Sequence, residues 1–251
     1  MIAMHDFAGR VALITGGAGA IGQAVAAALR ERGAQVVAAD RSGSPASLGG
    51  EAVEPLDVTD RRSVTALVHR IEQERGRLDI LVNAAGVVSF GTAAELDETE
   101  WNRVLDVNLT GSFLACQAVI GPMRRRNYGR IVNLGSVVGK NGGNARPWLD
   151  PAEQQLAGNV AYGVSKAGVH MMTAFLAREL AASGITVNAV APGPIATGMT
   201  ASFPAALRAA IPAGRMGTVA DVSRAVLFLA SDEAGFVSGE VLDVNGAMWC
   251  D

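Results

Sequence analysis

Val11-Ala-Leu-Ile-Thr-Gly-Gly-Ala-Gly-Ala-Ile-Gly22 decides the fold. The apolar run Val11–Ile14 reads as a buried strand, and Ile21–Arg32 carries the apolar spacing of a helix. Glycines between them let the backbone turn sharply and approach a pyrophosphate. The helix start then offers unpaired N–H groups and a partial positive charge. Strand, Gly-rich loop and helix in that order predict a dinucleotide-binding unit. Gly16, Gly19, Ala20, Ile21 and Gly22 are its phosphate-loop residues.

The alternation continues outward. Gln35–Ala39, Ile80–Asn83, Arg130–Leu134, Thr186–Val190 and Val241–Val244 read as further strands. Their nearly continuous apolar character suits parallel strands covered on both faces. Asp60–Arg75, Trp101–Arg125, Tyr162–Ala182 and Val219–Ser231 read as helices. The pattern predicts an α/β single-domain Rossmann fold over residues 1–251, a doubly wound parallel sheet with helices on both faces. No linker divides the chain. The irregular stretch 139–159, which holds Pro147 and Pro151, is long for a connection and reads as a functional loop.

Asp40 closes the second strand, near the offset expected of a carboxylate that accepts the adenosine ribose hydroxyls. It would repel a 2′-phosphate: one like-charge pair at ~4 Å and an effective dielectric of ~20 costs on the order of 4 kcal/mol. NAD is therefore the expected cofactor. Arg41, the next residue, could pair with a phosphate and leaves NADP open.

Far downstream, Tyr162-Gly-Val-Ser-Lys166 puts a phenol and an ammonium on one helix face at i and i+4. A free phenol, with a pKa of ~10, is a poor base at neutral pH. An ammonium held at ~4 Å would stabilise the phenolate by on the order of 4 kcal/mol, or about three pK units. That would bring Tyr162 toward the working range of a general acid/base.

Bulk properties exclude other classes. A net charge of −3 argues against nucleic acid as the main partner. No apolar run looks long and charge-free enough to span a bilayer, and Met1–Phe7 does not read as a signal peptide. Cys116 and Cys250 form no ligand cluster, and His5, His69 and His170 show no metal-ligand spacing. A cytoplasmic protein without a metal is expected.

Together these segments resemble the short-chain dehydrogenase/reductase family over nearly the whole chain. The matching residues are Thr15–Gly22, Asp57-Val58, Asn83-Ala84-Ala85-Gly86, Asn108, Ser136, Tyr162, Lys166 and Pro192-Gly-Pro-Ile-Ala-Thr197. Ile211–Arg215 and Phe228–Asp232 look most like bacterial 3-oxoacyl-carrier-protein reductases and polyol or hydroxy-acid dehydrogenases. The resemblance implies that Tyr162 exchanges a proton with the substrate oxygen and that Lys166 binds the nicotinamide ribose and lowers the phenol pKa. It implies that Ser136 orients the substrate oxygen, and that Asn108 holds a water linking Lys166 to solvent. Asp57 and Val58 would contact adenine, and Asn83, Ala84, Ala85 and Gly86 would line its ribose side. Pro192, Gly193, Ile195 and Thr197 would lie toward the carboxamide end. A homotetramer or homodimer is implied, paired through the helices that begin near Trp101 and Tyr162.

Three departures from the family pattern stand out. Ala20 occupies the usual middle glycine, Asn83-Ala84 replaces Asn-Asn, and the stretch from Ser136 to Tyr162 is lengthened. The added residues are expected to wall the substrate pocket, with Trp148 as an apolar face and Arg146 as an anion contact. Arg124-Arg-Arg126 reads as a solvated helix end rather than a docking patch for an acidic carrier.

The preferred reading is an NAD(H)-dependent oxidoreductase that interconverts a small secondary alcohol and a ketone. The alternative is an NADPH-dependent 3-oxoacyl-carrier-protein reductase. A reading from another class is a catalytically silent, cofactor-sensing binding protein.

Overall fold

The computed structural model describes residues 6–42, 53–143, 157–197 and 208–250. Seven strands form one wholly parallel sheet: β1 Val11–Thr15, β2 Gln35–Asp40, β3 Glu54–Pro55, β4 Ile80–Asn83, β5 Gly129–Leu134, β6 Ile185–Pro192 and β7 Val241–Val244. Their order is β3-β2-β1-β4-β5-β6-β7. Strand order reverses between β1 and β4, so the crevice at their carboxyl ends is the expected ligand site of such a sheet.

Helices cover both faces. They are α1 Ala20–Arg30, α2 Arg61–Arg75, α3 Glu98–Leu105, α4 Gly111–Arg126, α5 Val138–Asn141, α6 Val160–Leu180 and α7 Val219–Ala230. Strands β1, β4, β5 and β6 are buried at every position, which is why their sequences do not alternate. Side chains of β1 still divide by face. Val11 and Leu13 pack with α2, α4 and α6, whereas Ala12 and Ile14 pack with α1 and α7. Each fully buried Leu or Ile in these layers contributes about 1.5–3 kcal/mol.

The structure departs from the sequence reading in three places. Strand β3 is only two residues long, too short to leave a periodic signal. Helix α5 interrupts the expected loop directly after Ser136. The helix expected over 101–125 begins at Glu98, where Asp97 accepts a hydrogen bond from Glu100 N, and it is broken by a π-turn at Asp106–Thr110.

That continuous run, Glu98–Arg126, is long and apolar enough by composition to cross a membrane, contrary to the sequence expectation. Its apolar residues Leu114, Ala115, Cys116, Val119 and Met123 are buried, and all but Leu114 belong to the core cluster they share with the sheet. It is the core helix of an α/β layer.

Candidate active site

The phosphate loop follows from β1. Gly16 has φ +68°, and a Cβ there would overlap the backbone of Ala84 and Ala85. A Cβ on Gly22 would overlap Gly16 O, so α1 packs directly on the loop. Gly19 is the N-cap of α1 and provides no side-chain acceptor for the first-turn N–H groups. Those donors suit a pyrophosphate. Ala20 is exposed on the first turn, so its methyl group does not crowd the loop interior.

A cleft opens beside this loop. Gly16, Gly19, Asp40, Arg41, Asp57, Val58, Ala84, Ala85 and Gly86 line it, joined by Leu56, Val87 and Val107, which the sequence reading missed. Asp40 accepts from Ala18 N (3.2 Å) and from Ser42 N and Oγ (3.2 and 3.1 Å), which fixes its carboxylate at the end of β2. Asp57 sits well below the usual carboxylate range because the Thr59 hydroxyl (2.7 Å) and Thr59 N (2.9 Å) donate to it. These residues fit a dinucleotide: backbone donors at the helix start, a carboxylate held at the end of β2 in the same cleft, and small side chains along the floor.

Asn83 does not reach this cleft. Its amide donates to Asn133 Oδ1 (2.9 Å) and Cys116 Sγ (3.3 Å), within a buried network that Asn133 extends to Thr173 (2.9 Å). The side chain of a mid-sheet residue faces a helix layer, and only Ala84, Ala85 and Gly86 emerge past the strand end. Ile195 is also buried, packed in the core and bridged to Gly217. Pro192 ends β6, Gly193 packs against Asn245, and Thr197 lies at the last described position of that segment.

Three of the four expected catalytic side chains converge beyond β4 and β5. The Ser136 hydroxyl bonds the Tyr162 phenol, and Ser136 N donates to His170 Nε2 (3.3 Å). Lys166 lies one turn further along α6, with Nζ 5.8 Å from the Tyr162 ring centroid. Its ammonium donates to Leu134 O (2.7 Å). Burial is the dominant influence on both groups. It pushes the Lys166 amine down to about 8 and pushes the Tyr162 phenol up, the Ser136 hydroxyl pulling the other way. The expected lowering of the phenol by Lys166 is therefore not what this geometry gives. Desolvation opposes the charged form of each group, and the ammonium is directed at a carbonyl.

Asn108, the fourth expected residue, is held by the backbone around it. It lies in the π-turn and is fully buried. Its Oδ1 accepts from Val87 N (2.8 Å), and its Nδ2 donates to Val87 O (2.9 Å) and Ser165 Oγ (2.9 Å). The side chain thus clamps the cleft wall to α6, with both amide protons engaged and one lone pair of Oδ1 still open. π-turns of this kind commonly mark functional positions.

Trp148 and Arg146 lie outside the described residues. Arg124 pairs with Glu179 (3.4 Å), Arg125 with Glu72 (2.7 Å), and Arg126 donates to Gly76 O. Each guanidinium of that helix end is committed within the chain. Among the described residues no cluster of His, Cys, Asp or Glu could hold a metal. Sequence reasoning missed Ser89 and Asn159, which join the start of α6 to the segment after β4. An Asn just before an apolar helix is an N-cap signal that could have found the second.

Comparison with known proteins agrees with this geometry. The pattern of the family described as Enoyl-(Acyl carrier protein) reductase matches residues 16–248. The chain is 39% identical to 3-oxoacyl-(acyl-carrier-protein) reductase FabG of Escherichia coli K12, over 97% of this chain and 99% of that protein. It is 41% identical to the enzyme of the same name from Vibrio cholerae, over 96% and 98%. A solved structure described as a short-chain dehydrogenase/reductase from Burkholderia xenovorans superposes with a TM-score of 0.86 at 38% identity, covering 99% of this chain and all of that one. The chain is a pyridine-nucleotide-dependent oxidoreductase acting on CH–OH donors, and it belongs to the short-chain dehydrogenase/reductase family.

Proposed function

We propose that this enzyme reduces the ketone of a 3-oxoacyl thioester to a hydroxyl, with NADH held in the cleft lined by Asp40. Full-length similarity to two 3-oxoacyl-(acyl-carrier-protein) reductases carries the substrate reading. It favours the alternative of the sequence analysis over a small-alcohol dehydrogenase. The committed Arg124–Arg126 cluster gives no reason to require a carrier protein rather than a free thioester.

The bound nucleotide supplies the hydride. The chain supplies position and a proton. Ser136 and Tyr162 present two hydroxyls to one substrate oxygen. A phenol raised by burial stays protonated at neutral pH, so Tyr162 serves as the proton donor that ketone reduction needs. Lys166, near 8, remains mostly cationic at neutral pH and supports the developing phenolate. Asn108 keeps the cleft wall in register with α6. The Asp40 carboxylate favours NADH over NADPH by like-charge repulsion of a 2′-phosphate.

Acetoacetyl-CoA reduction, run in parallel with NADH and NADPH, tests both parts. Turnover with NADH, and slower turnover with NADPH, is expected. Faster turnover with NADPH would overturn the role given to Asp40. No turnover with either nucleotide, followed by oxidation of a secondary alcohol with NAD⁺, would return the enzyme to the small-alcohol reading.

The exposed apolar residues Val164, Met171 and Phe175 recur along one side of α6, with Phe113 exposed on α4. We propose that this face pairs with a second copy in a dimer or tetramer. Light scattering at micromolar concentration should report more than one protomer; a monomer there sinks the assignment. A reducing cytoplasm suits both thiols, since Cys250 is exposed and Cys116 is buried and pushed up to about 12.

A further inference from the structure

Asn159 is the N-cap of α6 and is 6% exposed. Its Oδ1 accepts from Ala161 N (3.1 Å) and Tyr162 N (3.4 Å). Its Nδ2 donates to Ser89 Oγ (2.7 Å) and Phe90 O (3.1 Å), and its backbone N donates to Ser89 O (2.9 Å). One buried amide therefore joins the first turn of α6 to a strap that follows β4.

The strap is anchored at its other contacts. Ser89 is buried, and its hydroxyl also bonds Glu100, which is itself held by Arg103 (2.6 and 2.7 Å). Val87, two residues earlier, is the residue clamped by Asn108. Gly158 forms an antiparallel bridge with Phe90. A Cβ on Gly158 would lie 3.2 Å from Tyr162 Cδ1, so this backbone packs on the phenol ring.

A Ser, Thr or Asp would cap the helix about as well as Asn. Only an amide can cap and also donate twice across to the strap. We propose that Asn159 is a positioning residue for Tyr162, setting the phenol against Ser136 by tying α6 to the strap 87–90. Its kinetic consequence rests on the reductase reading; its positional claim does not.

The chain has two tyrosines, so Tyr128→Phe leaves Tyr162 as the sole phenol. Its ionisation can then be followed by phenolate absorbance over the pH range in which circular dichroism shows the fold intact. Asn159→Ser keeps a capping oxygen but cannot reach Ser89 and Phe90. In the Tyr128→Phe background it should move the Tyr162 titration down toward the ordinary value of ~10, because burial is the larger cause of its elevation. In the otherwise unaltered enzyme it should lower kcat with acetoacetyl-CoA about tenfold at constant cofactor KM. Ser89→Ala should move both readouts the same way by less. Asp60→Ala removes the N-cap of α2, whose side chain accepts from Arg62 N, and controls for lost helix stability. It should lower Tm without moving the phenol. An unmoved titration in Asn159→Ser, or an equal shift in Asp60→Ala, overturns the proposal. Should the parent enzyme reduce no thioester, the reductase reading falls while the titration still decides the position of Tyr162.

Discussion

Tyr162→Phe is expected to lower kcat by about 10²–10⁴-fold, the contribution usual for a positioned general acid, with cofactor affinity unchanged. In the proposed reaction the phenol is the proton donor, and its ring packs at the start of α6 beside Gly158. Phe keeps that packing and removes only the hydroxyl that bonds Ser136. Loss of turnover with retained nucleotide binding, read by quenching of tryptophan fluorescence, is the expected pair of results. Residual kcat within tenfold of the parent would move the proton donor elsewhere. Binding of a protein partner that depends on NAD, in an enzyme that turns over no substrate, would favour the sensor reading.

Lys166→Met should abolish turnover and, in the ligand-free protein, change how stability depends on pH. Burial depresses the Lys166 amine from 10.5 to about 8. Such a depression disfavours the folded state by about 3 kcal/mol where both states hold the proton, below pH 8. Between pH 8 and 10.5 the unfolded chain binds more protons at this site, so the parent gains stability as pH rises. Above 10.5 the penalty is gone. Met carries no such penalty but loses the bond to Leu134 O, worth about 1 kcal/mol. The stability of Lys166→Met relative to the parent should therefore be most favourable at pH 7 and fall by pH 10. Urea unfolding of both proteins at the two pH values measures it. A pH-independent difference would show that the ammonium is solvated in the ligand-free enzyme.

Strand–loop–helix at Val11–Arg30 was legible because each part is local: apolar continuity makes the strand, glycine permits the turn, and helical spacing makes α1. Six of the seven strands, their parallel sense and six of the seven helices, α3 and α4 read as one, follow from the same short-range signals. The positions of Asp40, Tyr162 and Lys166 were legible from a strand end and one helix face, whereas Ser136 was named only by the family resemblance. The two-residue β3 and the four-residue α5 were not legible, since neither is long enough to show a period.

What the sequence determined by itself was the set of local conformations and the chemical groups they carry. Tertiary structure decided which groups meet and in what medium. Asn83, the last residue of β4, turned into the core, where Asn133 and Cys116 take its amide protons. Asn108 spends its amide on Val87 and Ser165 because a π-turn presents it there. Lys166 faces a carbonyl, and burial moves its pKa and that of Tyr162 in opposite directions. Hydrogen-bond partners and desolvation depend on residues far apart in the chain, so no spacing rule could have given them.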